Sequence, residues 1–239
     1  AFIIGNLFWN KSKEADKLKY EFITVAAHKL RTPLTKIKWA ASLLNDAKIS
    51  EVDKNKLVNE IVLANEQLID LTNELLVITK TEENQYRYNL ESANLEKIAR
   101  KVVNDHQFQI KERGVKLMYN AEKNLPKVKI DKERISSVVQ TLLENAILYT
   151  KDEIKINIDV YKNSVIFHIE DNGIGVSKED QSYIFSKFFR THEAYLTETE
   201  GAGLGLFLAK SIVDKHRGKI DVRSEGKGKG SIFWFSLPF

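Results

Sequence analysis

The chain has 239 residues, of which 43% are hydrophobic and 29% charged, a balance that predicts a folded protein of one large domain or two smaller ones. It contains no cysteine, which excludes disulfides and thiolate metal sites. The net charge is only +4 and both signs are interspersed along the chain, so we expect no nucleic-acid partner.

The N-terminal stretch, residues 1–9 (AFIIGNLFW), is apolar but too short to span a bilayer, which takes about 20 residues. Lysines follow it at Lys11, Lys13, Lys17 and Lys19. This order is typical of the cytoplasmic end of a transmembrane helix, and the alternative is a frayed apolar tail or a staple for the helix that follows. We therefore expect residues 1–16 to be a membrane-proximal segment at the start of a signalling helix. A membrane anchor would lie upstream, with the chain on the cytoplasmic side.

Residues 17–88 are predicted to form a helical hairpin, because residues 11–88 contain no glycine and one proline. Apolar residues recur at intervals of three and four on the second predicted helix, and the first has a matching set with a break between Val25 and Leu34. On the first they are Leu18, Phe22, Val25, Leu34, Ile37, Ala41 and Leu44, and on the second Leu57, Ile61, Ala64, Leu68, Leu71, Leu75 and Ile78. Polar residues 45–53 separate the helices, and Ser50 or Asp53 is the expected N-cap. Since a hairpin alone cannot bury both stripes, we predict a homodimeric four-helix bundle.

Residues 89–239 combine short helices with alternating apolar runs, which predicts an α+β two-layer sandwich with helices on one face of a sheet. The predicted helices cover residues 95–103, 132–149 and 204–216, with Asp131 as the cap of the second. The predicted strands cover residues 115–119, 125–131, 154–160, 165–170, 220–224 and 231–237.

His28 lies on the first predicted helix, and Pro33 follows five residues later. Proline removes a backbone hydrogen bond and clashes with the carbonyl four residues before it, so we expect a bend beside the histidine. One interpretation is an ordinary surface histidine beside a kink, and the other is a nucleophile. The remaining histidines, His106, His168, His192 and His216, lack metal-ligand spacing and are predicted to be structural or exposed.

Four stretches of the second half carry residues suited to nucleotide chemistry. In chain order they are TLLENAILY (141–149), DNGIGV (171–176), KFFR (187–190) and GAGLGL (201–206). Glycines let backbone N–H groups approach phosphates, and a helix N-terminus favours anions. A carboxylate after a strand can accept a hydrogen bond from an exocyclic amine, and an asparagine oxygen suits Mg²⁺. One glycine triplet alone would be a weak indication, whereas all four stretches together predict a nucleotide site.

Together with AAHKLRTPL at residues 26–34, these stretches resemble the sensor histidine kinases of two-component systems. The first stretch is similar to the H box of that family, and the other four to its N, G1, F and G2 boxes in the same order. The ending at residues 216–238 also resembles the family. The resemblance implies a dimerisation and phosphotransfer domain at residues 17–88 and a Bergerat-type ATP-binding domain at residues 89–239.

Carried over to this sequence, the resemblance implies roles for individual residues. His28 would accept the phosphoryl group from ATP, Asn145 would ligate Mg²⁺, and Tyr149 would line the adenine pocket. Asp171 would recognise adenine, with Gly173 and Gly175 as the hinge of an ATP lid at residues 191–200.

The same resemblance implies that Phe188 and Phe189 pack the lid with Arg190 nearby, and that Gly201, Gly203 and Gly205 hold the phosphates. The family's partners would be a second copy of the chain and the receiver domain of a response regulator, whose aspartate takes the phosphoryl group.

Lys29 departs from the family pattern, because an acidic residue usually follows the histidine and an ammonium has no lone pair to take its proton. Thr32, four residues after His28, does match the residue associated with dephosphorylating the response regulator. Smaller departures stand at Thr141, Leu148 and Ala202, where asparagine, lysine and threonine are frequent.

Three functions therefore stay open from the sequence. The first is an active ATP-dependent histidine kinase. The second is an autokinase-impaired ATP-binding scaffold or phosphatase, which Lys29 keeps open. The third is a clamp ATPase of the wider superfamily, such as a chaperone or mismatch-repair protein, and the H box argues against it.

Overall fold

The structure, a computed structural model, describes the backbone of residues 2–44, 49–82, 87–197 and 203–239. Side chains are described throughout these ranges except for residues 2–22, 70, 74 and 77–82. The chain divides into two compact units, Ala1–Val77 and Ile78–Phe239. The predicted domain limits at residues 16 and 88 stay predictions.

The first unit consists of two long helices, α1 (Phe2–Leu44) and α2 (Glu51–Glu82). The buried residues recur every seven positions on both: Ala26, Pro33 and Ala40 on α1, and Leu57, Ala64 and Leu71 on α2. A seven-residue repeat is the spacing of helices packed in a coiled-coil geometry. At the start of α2 the Ser50 hydroxyl accepts from the Asp53 N–H at 3.2 Å and donates to the Asp53 carboxylate at 2.7 Å, so Ser50 is the N-cap. The predicted helical hairpin is confirmed.

The predicted apolar stripe of α1 holds only in part: Val25, Ile37 and Leu44 are half-buried, and Leu18 and Phe22 lie outside the residues whose side chains are described. Leu34 is 54% exposed and Ala41 is also exposed, whereas Pro33 and Ala40 are buried. The fully buried positions of α1 carry alanines and a proline ring, while larger side chains such as Val25 and Ile37 are half-buried. Pro33 is thus a packing residue of a helix that continues to Leu44 as well as a break in its hydrogen bonding.

The second unit is a two-layer α+β sandwich, and its predicted architecture is confirmed. Its helices are α3 (Leu95–Asp105), α4 (Gln107–Glu112), α5 (Lys132–Tyr149), α6 (His192–Thr197) and α7 (Gly205–Lys215), with a 3₁₀ turn at Asp180–Ser182. Its strands are β1 (Glu91–Ala93), β2 (Lys116–Ala121), β3 (Val128–Ile130), β4 (Glu153–Tyr161), β5 (Ser164–Asp171), β6 (Lys219–Arg223) and β7 (Ser231–Pro238). The strand β1 and the helices α4 and α6 have no counterpart in the expected elements, whereas β3 lies within the predicted strand at residues 125–131.

The main sheet has five strands in the order β2-β4-β5-β7-β6, with β2 parallel to β4 and the other pairs antiparallel. Alternate strand residues are buried on one face, such as Ile154, Ile156 and Ile158 of β4. Helices α5 and α7 pack on that face and on each other, and α3 packs on α5. Their buried side chains complete the core, so the site residues at the ends of α5, β5 and α7 rest on a packed scaffold.

No helix in the described part of the chain is both long and apolar enough to cross a membrane.

Candidate active site

Asp171 ends β5 and is only 7% exposed. Its Oδ1 accepts a hydrogen bond from the backbone N–H of Gly173 at 2.8 Å, and the backbone N–H of Ser231 also donates to the carboxylate. Burial raises the pKa of Asp171 to about 6, against the lowering effect of these two N–H groups. A buried carboxylate held by its own backbone is a fixed acceptor for a donor on a ligand.

The glycines after Asp171 are required by close backbone packing. A Cβ at Gly173 would lie 1.8 Å from the carbonyl oxygen of Tyr149, which accepts from the N–H of Ile174 at 3.2 Å. Gly175 has a left-handed φ of +67°, and a Cβ there would lie 2.1 Å from the carbonyl oxygen of Gly226. The loop after β5 is therefore seated directly on the end of α5, which joins Asp171 to Tyr149.

Asn145 and Tyr149 lie on α5, one and two turns after Thr141. Residues four apart share a helix face, so Thr141, Asn145 and Tyr149 lie on one face of α5. The neighbours of Thr141 and Tyr149 show what this face contacts. A Cβ at Gly205 would lie 3.0 Å from the methyl group of Thr141, and Tyr149 contacts Gly173. Asn145 is thus on the face of α5 that runs from the start of α7 to the loop after Asp171. Its half-buried amide makes no hydrogen bond to any residue that the structure describes.

Helix α7 begins at Gly205, and the N-cap residue Leu204 is buried and provides no side-chain cap. Its first backbone N–H groups thus have no side-chain acceptor within the helix, as a phosphate-binding N-terminus requires. Just before it, Gly203 has a φ of +73° and its carbonyl accepts from the N–H of Phe188 at 2.9 Å. Phe188 itself has a left-handed φ of +62°, so the KFFR segment and the glycine loop are packed backbone to backbone.

Phe189 and Arg190 connect this loop to the predicted lid. The Phe189 ring lies 6.1 Å from that of Tyr183 and packs on the core of the domain. Arg190 donates from Nη2 to the carbonyl of Ala194 on α6 at 2.8 Å and lies over the Tyr195 ring at 5.7 Å. The first part of the predicted lid is therefore the short helix α6, and the remainder, residues 198–200, lies outside the described residues. Gly201, one of the predicted phosphate ligands, and Ala202 also lie outside them.

Three features of the site are not predicted by the sequence motifs. The first is Asn172, whose Oδ1 accepts from the backbone N–H groups of Lys151, Asp152 and Glu153 at 3.2, 3.3 and 3.2 Å. Asn172 therefore holds the turn between α5 and β4, and its place beside two glycines in DNGIGV is the only signal that could have drawn attention to it.

The second is Ser224, whose hydroxyl accepts from the N–H of Val176 at 3.0 Å and donates to the Gly230 carbonyl at 2.6 Å. The third is Lys227, whose Nζ lies 2.6 Å from the Glu193 carboxylate of α6. Both belong to the turn between β6 and β7, which braces the Gly173–Val176 loop. The glycines at 226, 228 and 230 indicate a turn there but not what it contacts.

Among the described residues no group of three or more His, Asp or Glu side chains could hold a metal ion. A cation bound by phosphate oxygens and water needs only one or two protein oxygens. Asn145, with an amide oxygen that makes no hydrogen bond, fits that lesser requirement.

In the first unit, His28 is exposed on α1. Its side chain lines a shallow groove of about 420 Å³ along one face of the helix, together with Arg31, Thr32, Thr35, Lys36 and Trp39. The Thr32 hydroxyl donates a long hydrogen bond of 3.4 Å to the backbone carbonyl of His28. Thr32 therefore lies one helical turn after His28, on the same side of α1. Lys29 is half-buried beside them. The predicted roles of these residues and of the nucleotide-site residues stay predictions.

Two family matches correspond to the two halves of the chain. Residues 18–84 match the family described as "His Kinase A (phospho-acceptor) domain". Residues 130–239 match the family described as "Histidine kinase-, DNA gyrase B-, and HSP90-like ATPase". The first match implies dimerisation of the helical half, and the second supports ATP as the nucleotide.

Known proteins resemble the chain over most of its length. The sensor protein SrrB of Staphylococcus aureus is 32% identical over 226 residues, which cover 93% of this chain and 38% of the relative. The chain thus spans well under half the length of this curated relative. The solved structure of the Acinetobacter baumannii histidine kinase AdeS is 26% identical, with a TM-score of 0.69 over 88% of this chain and 97% of that one.

The solved complex of histidine kinase ThkA with response regulator protein TrrA has a TM-score of 0.73. It covers 95% of this chain and 63% of the ThkA chain at 23% identity, and shows the same fold. With a phospho-acceptor helical unit, a Bergerat-type nucleotide domain and relatives of one kind, the chain belongs to the sensor histidine kinases of two-component systems.

Proposed function

We propose that this protein is an ATP-dependent protein-histidine kinase that phosphorylates its own His28 and passes the phosphoryl group to an aspartate of a response regulator. The observation that carries the proposal is the exposed imidazole of His28 within residues that match a phospho-acceptor domain. A buried histidine could not reach a γ-phosphate held by another domain, whereas an exposed one on a long helix can.

The nucleotide site supplies recognition of ATP at three points. The Asp171 carboxylate accepts a hydrogen bond from the adenine amine, and Tyr149 lines the base. The N–H groups at Gly203 and Gly205 hold the phosphates at the start of α7. The Asn145 amide oxygen would hold Mg²⁺, and the ion would supply positive charge that offsets the charge of the phosphates.

The reaction asks the protein for alignment and charge compensation. A lone pair of the neutral His28 imidazole attacks the γ-phosphorus in line with the leaving β–γ bridging oxygen. The P–O bond breaks, ADP departs, and the imidazole loses its N–H proton to solvent. In the transfer to the response regulator, the aspartate carboxylate attacks the phosphorus, the N–P bond breaks, and the leaving imidazole takes up a proton from solvent.

Charge around His28 favours anionic partners. From residue 22 to residue 44 the chain contains Lys29, Arg31, Lys36 and Lys38 and no acidic residue. Such a cationic stretch attracts the phosphates of ATP and an acidic receiver domain. The proposed partner is a response-regulator receiver domain. A second support for it is that ThkA is in complex with a response regulator protein in its solved structure. A position beside the cytoplasmic face of a membrane stays a proposal drawn from residues 1–19.

Lys29 favours a second candidate function, an ATP-binding scaffold or response-regulator phosphatase that acts through Thr32 and has a weak autokinase. The ammonium of Lys29 cannot take the proton that an acidic residue in its place would take. The match to a phospho-acceptor domain argues against the clamp ATPase, which has no use for a histidine on a helical bundle.

The test is incubation of the purified protein with Mg²⁺ and ATP labelled in the γ-phosphate. His28→Ala and Lys29→Glu are assayed beside the wild type, with His192→Ala as the matched control at an exposed histidine of the other unit. We expect acid-labile, alkali-stable label in the wild type and in His192→Ala and none in His28→Ala.

Label in Lys29→Glu but not in the wild type would favour the scaffold or phosphatase. Hydrolysis of ATP without any labelled protein would contradict both the histidine kinase and the scaffold or phosphatase, and would favour the clamp ATPase.

A further inference from the structure

Two buried polar residues meet at the start of α5. Asp131 and His216 are 7% and 5% exposed. The backbone N–H of Asp131 donates to Nε2 of His216 at 2.9 Å, and Nδ1 of His216 lies 2.7 Å from the carbonyl oxygen of Ile212. A carbonyl can only accept, so the proton is on Nδ1 and Nε2 is the acceptor. His216 is therefore neutral, with its tautomer fixed by both neighbours.

This contact closes one end of an antiparallel helix pair. Asp131 immediately precedes α5, and His216 immediately follows α7. At the opposite ends, Gly205 starts α7 and lies against Thr141, one turn before Asn145. The two helices are thus bonded at one end and carry the nucleotide-site residues at the other.

The segment that precedes β1 is attached to the same closed end. The N–H of Asn89 donates to Oδ2 of Asp131 at 3.0 Å, while Oδ1 caps α5 by accepting from the N–H of Arg134 at 3.2 Å. The ring of Tyr88 packs edge-on against the His216 imidazole, with centroids 5.4 Å apart. The two carboxylate oxygens of Asp131 thus bind different segments: Oδ1 caps α5, and Oδ2 holds the segment at residues 88–89.

We infer that His216 is a positioning residue for the nucleotide site, and that residues 88–89 act on that site through the Asp131–His216 contact. This inference rests on the proposed function, because it assumes that the ends of α5 and α7 hold ATP. Packed helices shift as rigid bodies rather than deform. When the contact is lost, α7 can slide along α5, and the phosphate-binding turn moves relative to Asn145 and Tyr149.

The first test measures the dissociation constant of ADP for the full chain, well below the unfolding temperature. His216→Leu removes both hydrogen bonds and should weaken ADP binding about tenfold, since a displaced site residue loses most of its binding contribution. His216→Gln keeps an acceptor for the Asp131 N–H and a donor for Ile212, and should restore binding to within about twofold.

The matched control is Val165→Ala, at the opposite end of β5 from Asp171 and fully buried. It removes buried side-chain volume but leaves the Asp131–His216 contact in place, so a folded control protein should bind ADP as the wild type does. Equal weakening in Val165→Ala and His216→Leu would reduce His216 to a stability residue and overturn the inference.

The second test addresses residues 88–89. Asp131→Ser keeps one oxygen, which suffices to cap α5, but leaves none for the Asn89 N–H. We expect ADP binding about threefold weaker in Asp131→Ser and in Tyr88→Ala. By reciprocity, ADP should slow hydrogen exchange at the Asn89 and Asp131 amides of the wild type.

Unchanged ADP affinity in Asp131→Ser and Tyr88→Ala, with unchanged exchange, would overturn the part played by residues 88–89. Unchanged affinity in folded His216→Leu or a failure of His216→Gln to restore binding would overturn the positioning role. A wild-type protein that binds no ADP would overturn the proposed function and this inference together, so the two failures are distinguishable.

Discussion

Burial raises the pKa of Asp171 to about 6, so this carboxyl changes its charge just below neutral pH. The ionised form accepts a hydrogen bond from the adenine amine better than the neutral acid does. In the neutral acid, one carboxyl oxygen carries a proton, and this proton would point at an N–H donor instead of accepting from it. If Asp171 recognises adenine as proposed, the affinity for adenine should fall as the pH falls through this pKa.

We predict that adenosine binds about tenfold more weakly at pH 5 than at pH 7.5, because only about a tenth of the Asp171 carboxyl is ionised at the lower pH. Adenosine is the suitable ligand because it carries no phosphate that titrates in this range. Competition against a fluorescent nucleotide measures the constants. Asp171→Asn, which has no ionisable group there, should bind adenosine weakly and equally at both pH values. A wild-type constant that does not change with pH would refute adenine recognition by the ionised carboxylate.

At the scale of elements, the loop after β5 is held by contacts that exclude any side chain at Gly173. The space that a Cβ would need is occupied by the Tyr149 carbonyl, 1.8 Å away, so α5 and β5 can meet only over a glycine. The carbonyl is backbone and cannot rotate aside. A methyl group at this position must push the end of α5 away from Asp171.

We predict that Gly173→Ala destabilises the ATP-binding domain by about 3 kcal/mol or more and abolishes ADP binding. Gly114→Ala is the control, since Gly114 has a left-handed φ of +65° but nothing within 4 Å of its Cβ position. Conformational strain alone should cost that variant about 1 kcal/mol and leave ADP affinity unchanged. Urea unfolding and ADP titration measure both. Equal losses in the two variants would mean that backbone strain, not the contact with Tyr149, explains the glycine.

How much of this was predictable from the sequence depends on the range of the contacts. Helix α5 with its Asp131 cap and the strands β4, β5 and β7 follow from local periodicity and capping, and the structure has them within a residue or two. The motif residues Asp171 and Gly173 also follow from local sequence.

Contacts between segments that are distant in the sequence cannot be predicted from local periodicity and capping. The binding of Asn172 to residues 151–153 joins positions about 20 apart, and the pair β1–β3 joins positions almost 40 apart. The stripe predicted for α1 omits Pro33 and Ala40, which are buried although an apolar count gives a small residue or a proline little weight.

For the whole molecule, the distribution of exposed apolar residues on α2 indicates where a second copy packs. Val62, Ile69 and Leu76 are 49%, 50% and 55% exposed and recur every seven residues, away from the buried line of Leu57, Ala64 and Leu71. Apolar side chains repeated along a helix at this spacing are typical of a helix–helix interface. The match to a phospho-acceptor domain implies dimerisation, and this line supplies an apolar surface for it.

We predict that Ile69→Lys converts the dimer to a monomer at micromolar concentration, because a dimer would have to bury an unpaired ammonium at the centre of the line. Leu63→Lys is the matched control: Leu63 is 58% exposed but lies on the other side of the buried line, about 100° from Ala64 around the helix. Sedimentation velocity distinguishes the two forms, and the ADP dissociation constant should be unchanged in both variants. If Ile69→Lys stays dimeric while Leu63→Lys dissociates, the second copy packs on the side of α2 that carries Leu63, and the proposed dimer surface is wrong.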